Sequence, residues 1–202
     1  MNLSNPAFQW EPPDHRFRME NVAARTEAFN QIGSLLGIFQ RITRVVTPSP
    51  ENMNVYGSEI RDLLLLSCME CEAHWRSILR RGGITRERYT TSDYVLLAEP
   101  CRLGKGLVTF TPYRWMPPQI PFANWRLGGK PTQDIAWYDA YNATKHDRET
   151  NLNRATLQNA MDALAAVWIT FVVRFGGIVL SDPAEVREYF RLANYTFGTD
   201  QP

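Results

Sequence analysis

The stretch Trp137-Tyr-Asp-Ala-Tyr-Asn-Ala-Thr-Lys-His-Asp-Arg148 holds the chain's densest set of side chains able to do chemistry at neutral pH. A neutral imidazole such as that of His146 takes or gives a proton near pH 7. Lys145 and Arg148 beside it are cations, which disfavour the imidazolium. The three suit a phosphodiester, His146 moving the proton while Lys145 and Arg148 hold the charge that develops on the phosphorus oxygens. With about 3.6 residues per turn, Tyr138, Asn142 and His146 fall in one row and Tyr141, Lys145 and Arg148 in a neighbouring one. Asn142, Tyr141 and Tyr138 are then candidates to orient the phosphate or the imidazole, and Glu70, on an earlier helix, is a candidate partner from across the fold. This is the minimum for a metal-independent ribonuclease, and the sequence assigns the site no metal and no other cofactor.

Two other readings use the same residues. The cluster can bind RNA, a nucleotide or another anion without turnover. Alternatively it is structural: Lys145, His146 and Arg148 bond the last carbonyls of the helix and complement its dipole, worth ~0.3–1 kcal/mol each. Asn142 and Tyr138 would then be buried hydrogen-bonding partners.

Four long helices are needed to position this stretch. The first spans about His15 to Val46, with Val22, Phe29, Ile32, Leu36, Phe39 and Val46 at heptad-like spacing, and Thr47-Pro-Ser-Pro50 ends it. Gly33 and Gly37 within it would permit close helix approach. The second runs from Pro50 or Asn54 to Arg81, with a core stripe of Ile60, Leu64, Ser67, Cys71, Trp75 and Ile78, and Gly82-Gly83 stops it. Glu70 and His74 flank that stripe one turn apart, close enough to meet at its margin. The third starts near Thr132 as N-cap and reaches Lys145. Thr150 or Asn151 caps the fourth, whose Leu157, Met161, Leu164, Val167 or Trp168, Phe171 and Phe175 face inward until Gly176-Gly177. Ser181-Asp-Pro-Ala-Glu185 signals a short last helix from Ala184 to about Ala193. Residues 1–14, with three prolines, form an extended arm.

Residues 84–132 differ from the rest. Six prolines and seven aromatics interrupt any long element, leaving a short helix at Tyr94-Val-Leu-Leu and a strand over 106–111. Seven basic residues face three acidic ones, a local +4 that leaves the remaining chain at −3. Such an insertion either holds single-stranded nucleic acid by phosphate contact and base stacking or caps the helices with its Trp and Phe side chains; the cap is the preferred reading. The expected fold class is all-α, an antiparallel four-helix bundle in one domain over 1–202, with this largely irregular insertion between helices 2 and 3 and a short C-terminal helix.

Composition bounds the rest. The 202 residues are 44% hydrophobic and 21% charged, with a net charge of +1, so no strong overall field draws the chain to nucleic acid or an anionic membrane. Cys68, Cys71 and Cys101 are too few for a disulfide framework; as buried free thiols they fit a reducing cytoplasm. No signal-peptide pattern is expected at the N-terminus, and Ala163–Val173 is about half the ~20 residues of a membrane span. No membrane association is expected.

A third helix ending in a polar-x-x-x-His motif, joined at once to a long apolar fourth helix, resembles the HEPN superfamily over roughly residues 15–81 and 133–176. The family motif is Arg, four to six residues, then His, often with Asn after the Arg. Tyr141-Asn142-Ala-Thr-Lys-His146 supplies the Asn and the His, with Tyr141 at the Arg position. Tyrosine is neutral and lacks the bidentate grip of guanidinium. Lys145 and Arg148 take over that role, or the motif is structural. The resemblance implies a homodimer with two motifs facing across a cleft, and RNA or nucleotide as ligand, in a bacterial defence or stress system. The alternative from another class is a non-catalytic helical protein that docks a protein partner through Tyr113, Trp115, Phe122 or Trp125.

Overall fold

A computed structural model describes residues 8–13, 21–177 and 184–193. Most of them are helical. Four long helices, α1 (Val22–Thr43), α2 (Ser58–Arg81), α3 (Ala136–His146) and α4 (Leu157–Phe175), are joined by single helical turns and one two-stranded sheet. The apolar pattern explains the packing. Every expected stripe residue of α2, from Ile60 to Ile78, is buried, and α4 is buried on nearly all sides. A helix that is apolar all round must be wrapped by others. α4 lies chiefly against α2, while α1 and α3 each pack on both of them and barely touch one another.

Glycine ends two of these helices by its backbone freedom. Gly83 (φ 85°) lets the Ile84 N–H reach the Leu79 carbonyl at 2.8 Å, and Gly176 (φ 85°) closes α4. Thr156 caps α4, accepting from the Asn159 N–H at 3.3 Å. That start is later than the expected Thr150 or Asn151, because Asp147 first caps a separate turn, Arg148–Asn151, accepting from the Thr150 N–H at 3.1 Å. α3 also starts later than expected: the Thr132 hydroxyl pairs with that of Thr91 at 2.8 Å and caps nothing. α2 begins at Ser58, after a 3-10 turn over Pro50–Asn52. Val22 is exposed, outside the stripe of α1, and the space beside Gly37 is open, so no neighbour requires that glycine.

The insertion turns most of its aromatics inward, Trp115 excepted, and its cations outward. Trp75 of α2 is fully buried among the rings of Tyr94 and Trp125 (centroids 5.0 Å), Tyr138 (5.5 Å), Trp137 (6.1 Å) and Phe122 (6.2 Å). Indole N–H groups of Trp125 and Trp137 donate to the carbonyls of Pro131 (2.9 Å) and Pro121 (2.8 Å). A proline carbonyl is a free acceptor wherever no ladder claims it, so the irregular chain satisfies these two buried indoles. All seven basic residues of the segment are exposed. The segment therefore closes the core and offers no stack of exposed rings to a nucleic acid. The expected short helix appears as Thr91–Tyr94 followed by a 3-10 turn, and the expected strand as β1 (Leu107–Phe110).

β1 pairs antiparallel with β2 (Phe190–Ala193), Val108 opposite Leu192 and Phe110 opposite Phe190. This corrects the expected helix over 184–193: only Ala184–Arg187 is helical, and the chain then extends to cover the edge of β1. Its expected cap, Ser181 to Pro183, lies outside the described residues. Gly106 precedes β1 where a Cβ would stand 2.7 Å from Ile169 Cδ1 of α4, so only glycine lets the sheet lie this close to the central helix. Of the arm, Phe8 packs on the core and the Gln9 N–H donates to the Gly82 carbonyl at 3.2 Å.

The polar cluster at the end of α3

α3 carries two layers. The inner layer is locked to α2. Tyr138 and Tyr141 are buried, and the Tyr138 hydroxyl donates to Glu72 Oε1 at 2.8 Å. The Tyr141 hydroxyl accepts from Lys145 Nζ at 2.9 Å. Burial, reinforced by the Glu72 charge, pushes both phenols well above the usual tyrosine range, so both remain neutral donors. Arg76 Nη1 lies 3.2 Å from Glu72 Oε2 and donates to the Tyr94 hydroxyl at 3.3 Å. One carboxylate thus gathers groups from α2, α3 and the insertion. Asn142 is committed to its own helix, its Nδ2 donating to the Tyr138 carbonyl at 3.0 Å. Tyr138 and Tyr141 support the site from beneath, and Asn142 lies half-buried beside them.

The outer layer is open. Lys145, His146 and Arg148 are all exposed. Lys145 Nζ also rests 4.9 Å from the Tyr141 ring centroid, an arrangement that fixes an otherwise flexible cation. His146 is the last residue of α3, followed by the extended Asp147 (φ −144°, ψ 89°). The Asp147 carboxylate is turned back to cap the following turn, and its hydrogen bonds to Thr150 hold it below its ordinary pKa. The expected bonding of helix-end carbonyls falls instead to Arg61, whose Nη2 donates to the Thr144 carbonyl at 3.3 Å. Arg154 pairs with Asp139 on the outer side of α3.

Glu70 is not part of this cluster. About 100° of rotation per residue sets positions 70 and 72 on nearly opposite sides of α2. Glu72 faces α3, whereas Glu70 faces α4 through His74 and Arg174. Sequence reasoning missed Glu72; its signal was its place in the row Cys68, Glu72, Arg76 beside the apolar stripe, with Arg76 one turn on.

The second cluster is buried. Glu70 and His74 meet as expected, with Glu70 Oε1 3.3 Å from His74 Nε2, but His74 is wholly inside and not at the margin. Arg174 Nη1 stands 3.1 Å from Nδ1, so Nδ1 accepts and the proton belongs on Nε2, facing Glu70. Burial, then the Arg174 charge, holds the imidazole down to about 3, so it is neutral at pH 7. Across the core, Asp162 of α4 accepts from Gln158 Nε2 at 3.0 Å, and burial pushes its carboxyl up to about 6.

These two groups give opposite pH dependences. Between their ordinary and folded values, the unfolded chain holds an extra proton at His74 and stability rises with pH. At Asp162 the folded chain holds the extra proton between 3.8 and about 6, and stability falls with pH. Each slope is about 1.4 kcal/mol per pH unit, of opposite sign. The two should nearly cancel between about pH 4 and 6. Asp162→Asn should uncover a rising slope there in denaturant unfolding at stepped pH. An unchanged slope would mean that the Asp162 carboxyl titrates at its ordinary value in the folded chain.

Among the described residues, no three His, Cys, Asp or Glu side chains gather as a metal's ligands would. No described helix is long and apolar enough to cross a membrane. The three cysteines are free and buried. Compared with family models, with curated proteins and with solved structures, the chain gives no match.

Proposed function

We propose that this chain is a HEPN-like helical protein, its four long helices arranged as a bundle, that binds RNA or a nucleotide at the C-terminal end of α3 and cleaves RNA there without a metal. One observation carries the reading: His146 is exposed between the exposed cations Lys145 and Arg148, on a helix end held in place by the Glu72, Tyr138 and Tyr141 bonds. The positive charges offset the partial negative charge of the helix terminus, which alone would repel a phosphate. The rival reading, a protein-docking insertion, keeps one exposed anchor of the four, Trp115. Phe122 and Trp125 are buried, Tyr113 is half-buried, and the indole of exposed Trp115 donates to the Pro48 carbonyl at 2.8 Å.

The test is binding of a fluorescent single-stranded RNA across a salt series with chelator present. Arg148→Gln leaves the inner layer intact. It should weaken binding and lower the slope of log affinity against log salt by about one phosphate contact. An unchanged slope would remove Arg148 from the interface, and absence of binding by the wild type would end the proposal.

A further inference from the structure

A small cavity opens where the last turns of α2 and α4 meet the start of α1. Its volume is about 190 Å³. Sites for drug-sized ligands run to roughly 300–1,000 Å³, so this one suits a small ion or the end group of a larger molecule. Arg174 and Arg81 bring two guanidinium groups to its wall, Ser77 a hydroxyl and Asn21 an amide, while Trp10 and Ile78 form the apolar side. No described acidic residue lines it.

Arg174 is the decisive wall residue. It is half-buried, and a cation withdrawn from water is normally paired. Its Nη1 donates to His74 Nδ1 at 3.1 Å, but that imidazole is neutral. Glu70 stands on the far side of the ring, against Nε2, and no described carboxylate lies within 4 Å of the guanidinium. A guanidinium has five N–H donors. The histidine takes one, and the Phe175 ring, whose centroid is 4.4 Å from the guanidinium carbon, takes none. Arg81 is held in a similar way over Trp10, 5.5 Å from its ring centroid. Asn21 is the N-cap residue of α1 and gives its first turn no side-chain cap, so the positively polarised end of a long helix adds to the local field. Complementing the dipoles of α2 and α4 would account for a cation in each last turn. It would not account for two that line one cavity with no acid in its wall.

We propose that this cavity binds a phosphate dianion, free or as the end group of a small phosphomonoester. Arg174 and Arg81 hold its oxygens, and Ser77 and Asn21 donate further hydrogen bonds. Two guanidinium charges match a dianion, and donors arriving from α1, α2 and α4 suit four tetrahedral oxygens better than the flat pair of a carboxylate. The site is separate from the end of α3 and stands without the reading given for it. Arg61 touches the end of α3 from near the start of α2, and Ser77 is sixteen residues further on, about 24 Å along the helix.

Calorimetric titration of the full chain with inorganic phosphate, against chloride at matched ionic strength, tests it. The wild type should bind one phosphate per chain, and its melting temperature should climb with phosphate concentration. Arg174→Gln should weaken binding by about tenfold or more. Because that variant also removes the His74 bond, Ser77→Asp serves as the second. It sets a carboxylate in the cavity wall, keeps the His74 bond, and should abolish the phosphate response. Arg88→Gln, exposed and outside the cavity wall, should retain the response and controls for net charge. Phenyl phosphate separates the two sources. Tighter binding than phosphate identifies an end group whose stem lies on Trp10 and Ile78, and weaker binding identifies the free ion. No binding by the wild type at millimolar phosphate overturns the proposal. So does binding that persists in Ser77→Asp, or binding lost in Arg148→Gln, which would put the ion at the end of α3.

Discussion

Trp75→Ala should lower the stability of the folded chain by about 3–5 kcal/mol, out of a typical total of about 5–15 kcal/mol. Trp75 has no exposed surface and lies among rings from the insertion, from α3 and from the helical turn at Tyr94. Removing it leaves a cavity bordered by large, stiff neighbours, and stiff walls cannot collapse to fill it. The loss should therefore be of the insertion's attachment as well as of the α2 core. Denaturant unfolding measures the first, and near-ultraviolet circular dichroism of the remaining tryptophans reads the second. Trp75→Phe separates ring packing from hydrogen bonding. The Trp75 indole nitrogen is buried with no hydrogen-bond partner, so phenylalanine forfeits volume but no bond. It should cost about 1 kcal/mol, well under the alanine value. A loss below about 1 kcal/mol for Trp75→Ala would show that the insertion is not held through this ring.

That dependence explains what was legible in the sequence. The stripe from Ile60 to Ile78 could be read because helical periodicity in a helix with one buried side decides burial locally. α4 could be read because its apolar run is too long for a strand and ends in Gly176. Features decided by distant partners could not. Thr132, the expected cap of α3, instead bonds Thr91, forty-one positions away, and α3 starts at Ala136. The helix expected over 184–193 gave way to β2 because a strand edge waited at Leu107–Phe110. In the candidate site, the outer residues His146, Lys145 and Arg148 stood out by chemical type alone. Their support did not. Glu70 and Glu72 differ by two positions on one helix, and only the placement of α3 beside one side of α2 selects Glu72. Tyr141 occupied the motif position of an arginine, yet its ring is part of the core and its hydroxyl part of the platform.

The largest functional effect is expected at His146. If the end of α3 cleaves RNA, His146→Ala should reduce cleavage by about 100- to 10,000-fold, the usual contribution of a positioned acid or base. Folding should be untouched, since the side chain is exposed and makes no hydrogen bond to another described residue. That contrast makes the variant informative: a structural histidine would shift the melting temperature, and a catalytic one would not. Chelator belongs in every reaction, because a cleavage that vanishes with chelator and returns with added metal is a different mechanism. A binding residue that takes no proton would raise the substrate concentration needed and leave the maximal rate alone, so rate and affinity must be measured apart. Lys145→Ala is the companion. It removes a cation and also frees the Tyr141 hydroxyl from its 2.9 Å partner, so it should weaken both cleavage and the α2–α3 platform. Equal cleavage by wild type and His146→Ala would exclude His146 as the acid or base. Absence of cleavage in both, with RNA still bound, would leave a phosphate-binding helix end whose histidine contributes only its place between two cations.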